Sequence, residues 1–274
     1  MKNPFARRSD PEPASPEAAG FAPLPRPTPR LDALTDADLH ELNRLLKWNC
    51  FTVDARGRRV GDRARAGKRE EPQDIPDYRT LLLERTFALA DKRVLEIGCF
   101  EGVHTIGLCD RALQVTAVDS RLENVAKTIL RCYLYGHSPD IRRCNVELEA
   151  ELAALPDVDV VHHVGVLYHL VDLVAHLERL TVKARLGLLL DTHIATPQQA
   201  TDSLVSGGHT YRCRRFVEGG VAEVFSGMYA HASWLTLETL MALLKRLGFV
   251  RSELIEERAE RNGPRVLILA QRAG

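Results

Sequence analysis

The 274-residue sequence contains no apolar run approaching the ~20 residues that span a bilayer, and no membrane partner is expected. Net charge is absent too, with Lys plus Arg and Asp plus Glu at 37 each. A neutral chain has no global field to draw it to nucleic acid or anionic lipid, so an RNA or DNA partner would need a local patch. No apolar h-region follows the early arginines, which is not the pattern of a secretory signal, and the acids there suit a transit peptide poorly. Six cysteines (50, 99, 109, 132, 144 and 213) form no CxxC pair and no framework spacing. They read as reduced thiols in a cytoplasmic protein. No internal repeat is visible.

What is present falls into three parts. Residues 1–30 hold eight of the fourteen prolines with Ala, Ser and Glu, a composition that buries too little surface to order, so a disordered tail is expected. Residues 31–80 read as an N-terminal extension. In it, TDADLHELNRLLKW begins with a Thr or Asp cap and places Leu39, Leu42, Leu45 and Leu46 at helical spacing, and CFTVDARGRRV alternates around turn residues like a β-hairpin. From Arg56 to Arg69, seven Lys/Arg stand against one Asp. A solvated loop is favoured there over a flap that meets an anionic substrate.

Residues 81–274 carry the regular pattern. RVLEIG, QVTAVD, IRRCNV, VDVVHHV and LGLLLDT read as buried strands, with helical stretches VHTIGLCDRA, LENVAKTILRCYLYG, LEAELAAL and VDLVAHLERLTVKA between them. Such alternation predicts an α/β fold: a Rossmann-like, doubly wound, mostly parallel seven-stranded sheet with ligands beyond the carboxyl ends of its strands. Residues 195–233 read as a long irregular insertion, of the kind that forms lids or binding loops. The helix LTLETLMALLKRLGF then ends at Gly248, and FVRSELIEE and PRVLILAQ, joined by ERNG, predict an antiparallel C-terminal strand pair.

The chemistry starts in RVLEIGCFEGVHT. Gly98 and Gly102 stand where the first strand turns into a helix, so backbone amides can approach a ligand at a helix N-terminus. A dinucleotide fingerprint needs glycine at 100 and 103, where Phe100 and Val103 stand, so NAD is disfavoured. Glu96, Gly98 and Gly102 instead form E-x-G-x-x-x-G, which resembles motif I, (D/E)xGxGxG, of the class I S-adenosylmethionine (SAM) dependent methyltransferases. The resemblance implies that Glu96 meets the methionine amino group, directly or through water, while Gly98, Cys99, Phe100 and Gly102 lie beside the ligand. It also implies that Asp119, with Ser120 after it, receives the ribose hydroxyls, and that Asn145 and Val146 hold the adenine. Phe100 would line or lid the methionine end, or pack on the N-terminal segment.

GVLYH, residues 165–169, resembles the matching segment of the tRNA wobble-uridine carboxymethyltransferases and their relatives. There the Tyr-His pair borders donor and acceptor, which here implies Tyr168 and His169. His163, expected at the crevice end of its strand and against the cofactor, His169 and His193 are the candidate bases, because imidazole can take a hydroxyl proton near neutral pH. His162 points the other way and reads as a buried structural group. No HxxxH or HxH spacing supports a metal on His163, His169, His193 and Asp191, and a metal-free mechanism is preferred. In the insertion, Arg212 and Tyr229 are candidate acceptor contacts, and Trp234 reads as packing.

Three functions compete. The first is SAM-dependent O-methylation of a small-molecule or sugar hydroxyl. The second, a tRNA wobble-uridine (carboxy)methyltransferase, is less favoured because the chain is neutral and has no long basic N-terminal RNA-binding domain. The third is a non-catalytic SAM-fold subunit, which predicts no SAM binding.

Overall fold

Thr35 starts the first helix, Asp36–Leu45 (α1), through a capping box in which its side chain accepts from the Asp38 amide and Asp38 answers. A hairpin follows, Phe51–Val53 (β1) against Arg59–Gly61 (β2), and then Tyr78–Phe87 (α2), capped by Asp77. The computed structural model describes residues 33–54, 56–62 and 71–273. The tail expected over 1–30 and residues 63–69 of the basic stretch lie outside the described residues. Helix α2 has no counterpart in the sequence reading. Its leucines 81–83 run consecutively instead of at helical spacing, and only Thr80 and Leu83 are buried.

The central strands and helices then alternate as the periodicity predicts: Arg93–Ile97 (β3), Val103–Cys109 (α3), Gln114–Asp119 (β4), Leu122–Leu134 (α4), Asp140–Arg143 (β5), Glu149–Ala153 (α5), Val158–Val164 (β6), Leu173–Thr181 (α6) and Ala184–His193 (β7). The expected irregular insertion instead contains ordered strands. Asp202–Ser206 (β8), His209–Val217 (β9) and His231–Leu235 (β10) form a separate antiparallel sheet in the order β10-β9-β8. Gly207 and Gly208, both at positive φ, make the two-residue turn between β8 and β9. Leu237–Arg246 (α7), Arg251–Glu260 (β11) and Gly263–Gln271 (β12) complete the chain.

The main sheet has the order β11-β12-β7-β6-β3-β4-β5. Strands β5, β4, β3, β6 and β7 run parallel, and β12 is antiparallel to both β7 and β11. Successive residues feed opposite apolar layers: Leu95, Ile97, Val161, Leu188 and Leu190 enter one, and Val94, Val160 and Leu189 the other. Burial on both faces explains why these strands read as continuous apolar runs. Helix α2 approaches β7 so closely that a Cβ on Gly187 would lie 2.3 Å from the Phe87 ring. Strand order reverses between β3 and β6, which puts the ligand crevice at their carboxyl ends.

Candidate active site

From Ile97 the chain must leave the sheet and enter α3 within five residues. It does so through three residues at positive φ: Gly98 (78°), Phe100 (50°) and Gly102 (81°). A Cβ at Gly98 would lie 2.2 Å from Val166 Cγ2, so glycine is obligatory there. A phenylalanine at φ 50° is disfavoured by roughly 1–2 kcal/mol. Its N–H donates to Asp119 Oδ2 (3.1 Å) and its carbonyl accepts from Thr128 Oγ1 (3.1 Å). Asp119, ending β4, also accepts from the Arg121 amide (2.9 Å) and Asn124 Nδ2 (3.1 Å). Burial raises the Asp119 carboxyl above its ordinary value while these hydrogen bonds oppose the rise.

Beyond this turn lies a cavity of ≈470 Å³. Gly98, Cys99, Phe100, Asp119, Ser120, Asn145, Val146, Tyr168 and His169 all line it. Gly102 and Glu96 stand behind the wall. Gly102 packs against Thr128, whose Cα would be 3.1 Å from an added Cβ. Glu96 is buried and accepts from Thr105 Oγ1 (2.6 Å) through Oε2, while Oε1 has no partner among the described residues. Burial pushes its carboxyl up to about 7. His162, paired in register with Glu96 across β3 and β6, is likewise buried with neither ring nitrogen hydrogen-bonded among the described residues. Burial holds it well below its ordinary value, so the imidazole is neutral.

His163 is not on the cavity wall, contrary to the expectation for a base or cofactor contact. It is fully buried, with Nε2 2.9 Å from Nε2 of His176. His176 donates from Nδ1 to the Val146 carbonyl (3.2 Å), so its Nε2 accepts and His163 donates. Burial lowers both imidazoles, His176 to about 4. The pair props the strand end that carries Asn145 and Val146. Both sides of β6 are covered as far as His163, so along this strand the crevice opens only at its last residue, Val164, and at Gly165 beyond it.

His169 does face the cavity. Its Nδ1 donates to Glu218 Oε1 (2.9 Å), and Glu218 Oε2 accepts from the Gly227 amide (3.2 Å). The Glu218 side chain is only 4% exposed. Bonding at Nδ1 leaves the Nε2 lone pair as the basic site. Glu218 opens the loop from β9 to β10, which brings Phe225, Ser226, Gly227 and Met228 onto the wall. The Phe225 ring sits 5.7 Å from that of Phe100. Arg121 anchors the loop: its guanidinium donates to the carbonyls of Gly220, Val221, Glu223, Ser226 and Gly227 at 2.6–3.3 Å.

The remaining candidates lie further out. His193 is buried beneath the small sheet, stacked on Trp234 (4.9 Å) and edge-on to Tyr168 (4.7 Å), and is absent from the wall. Burial lowers its imidazole, with the Arg265 charge adding to the effect. Trp234 packs against Phe216 and donates to the Tyr168 carbonyl (2.7 Å). Asp191 lies near the carboxyl end of β7. Arg79 (3.1 Å), Arg258 (2.7 Å) and Arg265 converge on it. Burial would raise this carboxyl, but the three guanidiniums, Arg265 foremost, hold it below the ordinary carboxylate range. Arg212 donates to the carbonyls of Pro197 and Ala200, and Tyr229 is 41% exposed; neither lines the cavity. Among the described residues, no group of three or more His, Cys, Asp or Glu is arranged to hold a metal ion, and no helix is long and apolar enough to cross a membrane.

Several wall residues are not among the candidates drawn from the sequence, and all but one of them carry no local signal: Asp77, Arg79, Arg121, Phe225, Arg258, Glu260 and Arg265. Asp77 had one, as a cap following a proline. The others reach the site only through tertiary structure.

No protein-family model and no curated protein matches the sequence. Solved structures do match in shape. The N-terminal domain of EvdMO1 with S-adenosylhomocysteine (SAH) bound has a TM-score of 0.70 at 24% identity, over 87% of this chain and 95% of that one. The same domain in the presence of SAH and D-fucose scores 0.68 at 22% identity, with the same coverage. The fold shared with these structures is Rossmann-like. Against whole EvdMO1 the chain spans 48% of the length. The 1,6-didemethyltoxoflavin-N1-methyltransferase of Burkholderia thailandensis, with 1,6-didemethyltoxoflavin and SAH bound, scores 0.52 at 15% identity over 73% of this chain and 79% of that one.

Proposed function

We propose that this protein is a SAM-dependent methyltransferase that methylates a hydroxyl of a small molecule or sugar, with His169 as general base. One observation carries the reading. On the wall of the cavity that Gly98, Asp119 and Asn145 also line, His169 is fixed through Nδ1 by a buried carboxylate, with Nε2 unpartnered among the described residues. A hydroxyl must lose its proton as it gains a methyl group, and a positioned imidazole contributes about 10²–10⁴-fold to such a step.

The residues present fit the donor. Asp119 is aimed by three donors but retains acceptor capacity for ribose hydroxyls. The Asn145 side chain, held by the Glu147 amide at Oδ1 (3.2 Å), keeps its NH₂ for an adenine edge, and Val146 covers the ring. The partnerless Glu96 Oε1 suits an ammonium reached directly or through water. When bound, SAM supplies a methyl group made electrophilic by the sulfonium. The protein would hold donor and acceptor together, and Phe100, Phe225 and Met228, which line the cavity, would exclude water. His169 Nε2 takes the hydroxyl proton, and Glu218 stabilises the imidazolium that results.

A fold neighbour studied with SAH and D-fucose makes sugars the first acceptors to screen. Methyl transfer from SAM should be assayed against sugars, phenols and bulk tRNA, with His169→Gln as control. A sugar or phenol product lost in His169→Gln supports the reading. A tRNA product, or none in any class, overturns it.

A further inference from the structure

Glu101 lies inside the glycine turn and borders the same cavity, yet its carboxylate is taken up by Asn49, Cys50 and Lys127. Its side chain is fully buried. Oε1 accepts from the Asn49 amide (2.9 Å), Asn49 Nδ2 (2.9 Å) and Lys127 Nζ (2.9 Å). Oε2 accepts from the amides of Asn49 (3.0 Å) and Cys50 (3.1 Å) and from Cys50 Sγ (3.2 Å). A carboxylate so saturated with donors is a fastening, because removing its charge leaves several buried groups unmatched at once.

What it fastens is the extension. Lys127, also fully buried, reaches the Lys47 carbonyl (2.5 Å). Arg131 donates from Nε to the Glu101 carbonyl (2.6 Å) and through its remaining nitrogens to Thr52 Oγ1, Val60 O and Cys50 O, with its guanidinium 4.7 Å from the Trp48 ring. Gly61 lacks a side chain where this group passes: a Cβ would be 2.8 Å from Arg131 Nη2. The gripped residue Cys50 lines the same cavity as Phe100 and Asp119.

Phe100 precedes Glu101 and sits at φ 50°, a conformation that persists only where its surroundings over-determine it. We propose that Glu101 is a positioning residue: by clamping segment 47–61 to the turn, it holds Gly98–Gly102 in the geometry that receives the methyl donor. The segment is then part of the donor site, and its docking and donor binding strengthen each other by the same factor. The donor's identity rests on the function proposed above; the clamp does not.

The two are separated by measuring the full chain with and without SAH, as wild type, Glu101→Gln and the milder Asn49→Ala. In ligand-free protein, amide hydrogen exchange at residues 49–61 and 99–102 should rise about tenfold or more in Glu101→Gln, with cooperative melting retained. SAH affinity should fall about tenfold in Glu101→Gln and severalfold in Asn49→Ala, and SAH should slow wild-type exchange at 49–61. Should Glu101→Gln fail to fold, Asn49→Ala decides the same points. Unchanged exchange in the ligand-free variants overturns the clamp, and SAH affinity within twofold of wild type in a loosened variant overturns its link to the donor. Failure of wild type to bind SAH overturns the donor reading and that link, while the ligand-free exchange still decides the clamp.

Discussion

His169 donates from Nδ1 to Oε1 of Glu218 across 2.9 Å, joining the turn after β6 to a loop 49 residues later. The bond selects the tautomer that leaves Nε2 basic, so the two residues have different mutational signatures. His169→Gln should cut methyl transfer by about 10²–10⁴-fold and leave SAH affinity within about twofold. Glu218→Gln removes only the orienting charge. It should lower kcat by less and leave SAH affinity within about twofold, a split that loss of a purely structural loop contact would not produce.

Arg121 should matter to the loop more than to global stability. Its amide donates to Asp119, and its guanidinium holds five loop carbonyls. Arg121→Ala should raise hydrogen exchange across 218–228 about tenfold while Tm moves by only a few degrees. Exchange unchanged across that loop would show that other contacts hold it.

Glu96 makes a pH prediction. Its folded-state carboxyl stands near 7 against an ordinary value of 4.5, so the folded state binds the extra proton. Its contribution to stability is therefore present at acid pH and is lost as pH rises from about 4.5 to about 7. Glu96→Gln keeps the neutral shape, so its stability advantage over wild type should grow through that window and level off above it, at about 3 kcal/mol or less. Buried neutral His163 and His176 act in the opposite sense below about 6.5, but they are common to both proteins and cancel in the difference. SAH carries an ammonium that favours the carboxylate, so its affinity for wild type should rise as pH increases towards 7. Glu96→Gln should flatten that dependence.

Phe100→Gly relieves a left-handed conformation worth about 1–2 kcal/mol but gives up the contact with Phe225. These effects nearly offset, so stability measured by chemical denaturation should change by about 1 kcal/mol or less, with SAH binding retained. Collapse of the fold would mean that the ring, which is only half-buried, anchors the core after all.

The parts legible in sequence were those with local signatures. Buried strands alternating with amphipathic helices implied the sheet. Glu96, Gly98, Asp119, Asn145 and Tyr168-His169 stand at or just past the carboxyl ends of β3, β4, β5 and β6, where the order of motifs put them. His163 misses the wall because a strand covered on both faces gives no parity signal for a crevice that begins only at the next residue, Val164. The order within 195–233 was legible in the Gly207-Gly208 turn but masked by the surrounding polar composition. Glu218, Arg121 and Glu101 act on partners 49 to 106 residues away. Short-range periodicity carries no trace of such pairings.

The proposed methyl transfer requires the cavity beyond β3 and β4 to bind a SAM-type donor. Calorimetric titration of the full chain with SAH tests it most directly, alongside Asp119→Asn. Saturable one-to-one binding is expected, weakened about tenfold or more when Asp119 loses its charge. No binding by a folded wild-type protein, or equal binding by Asp119→Asn, would contradict it.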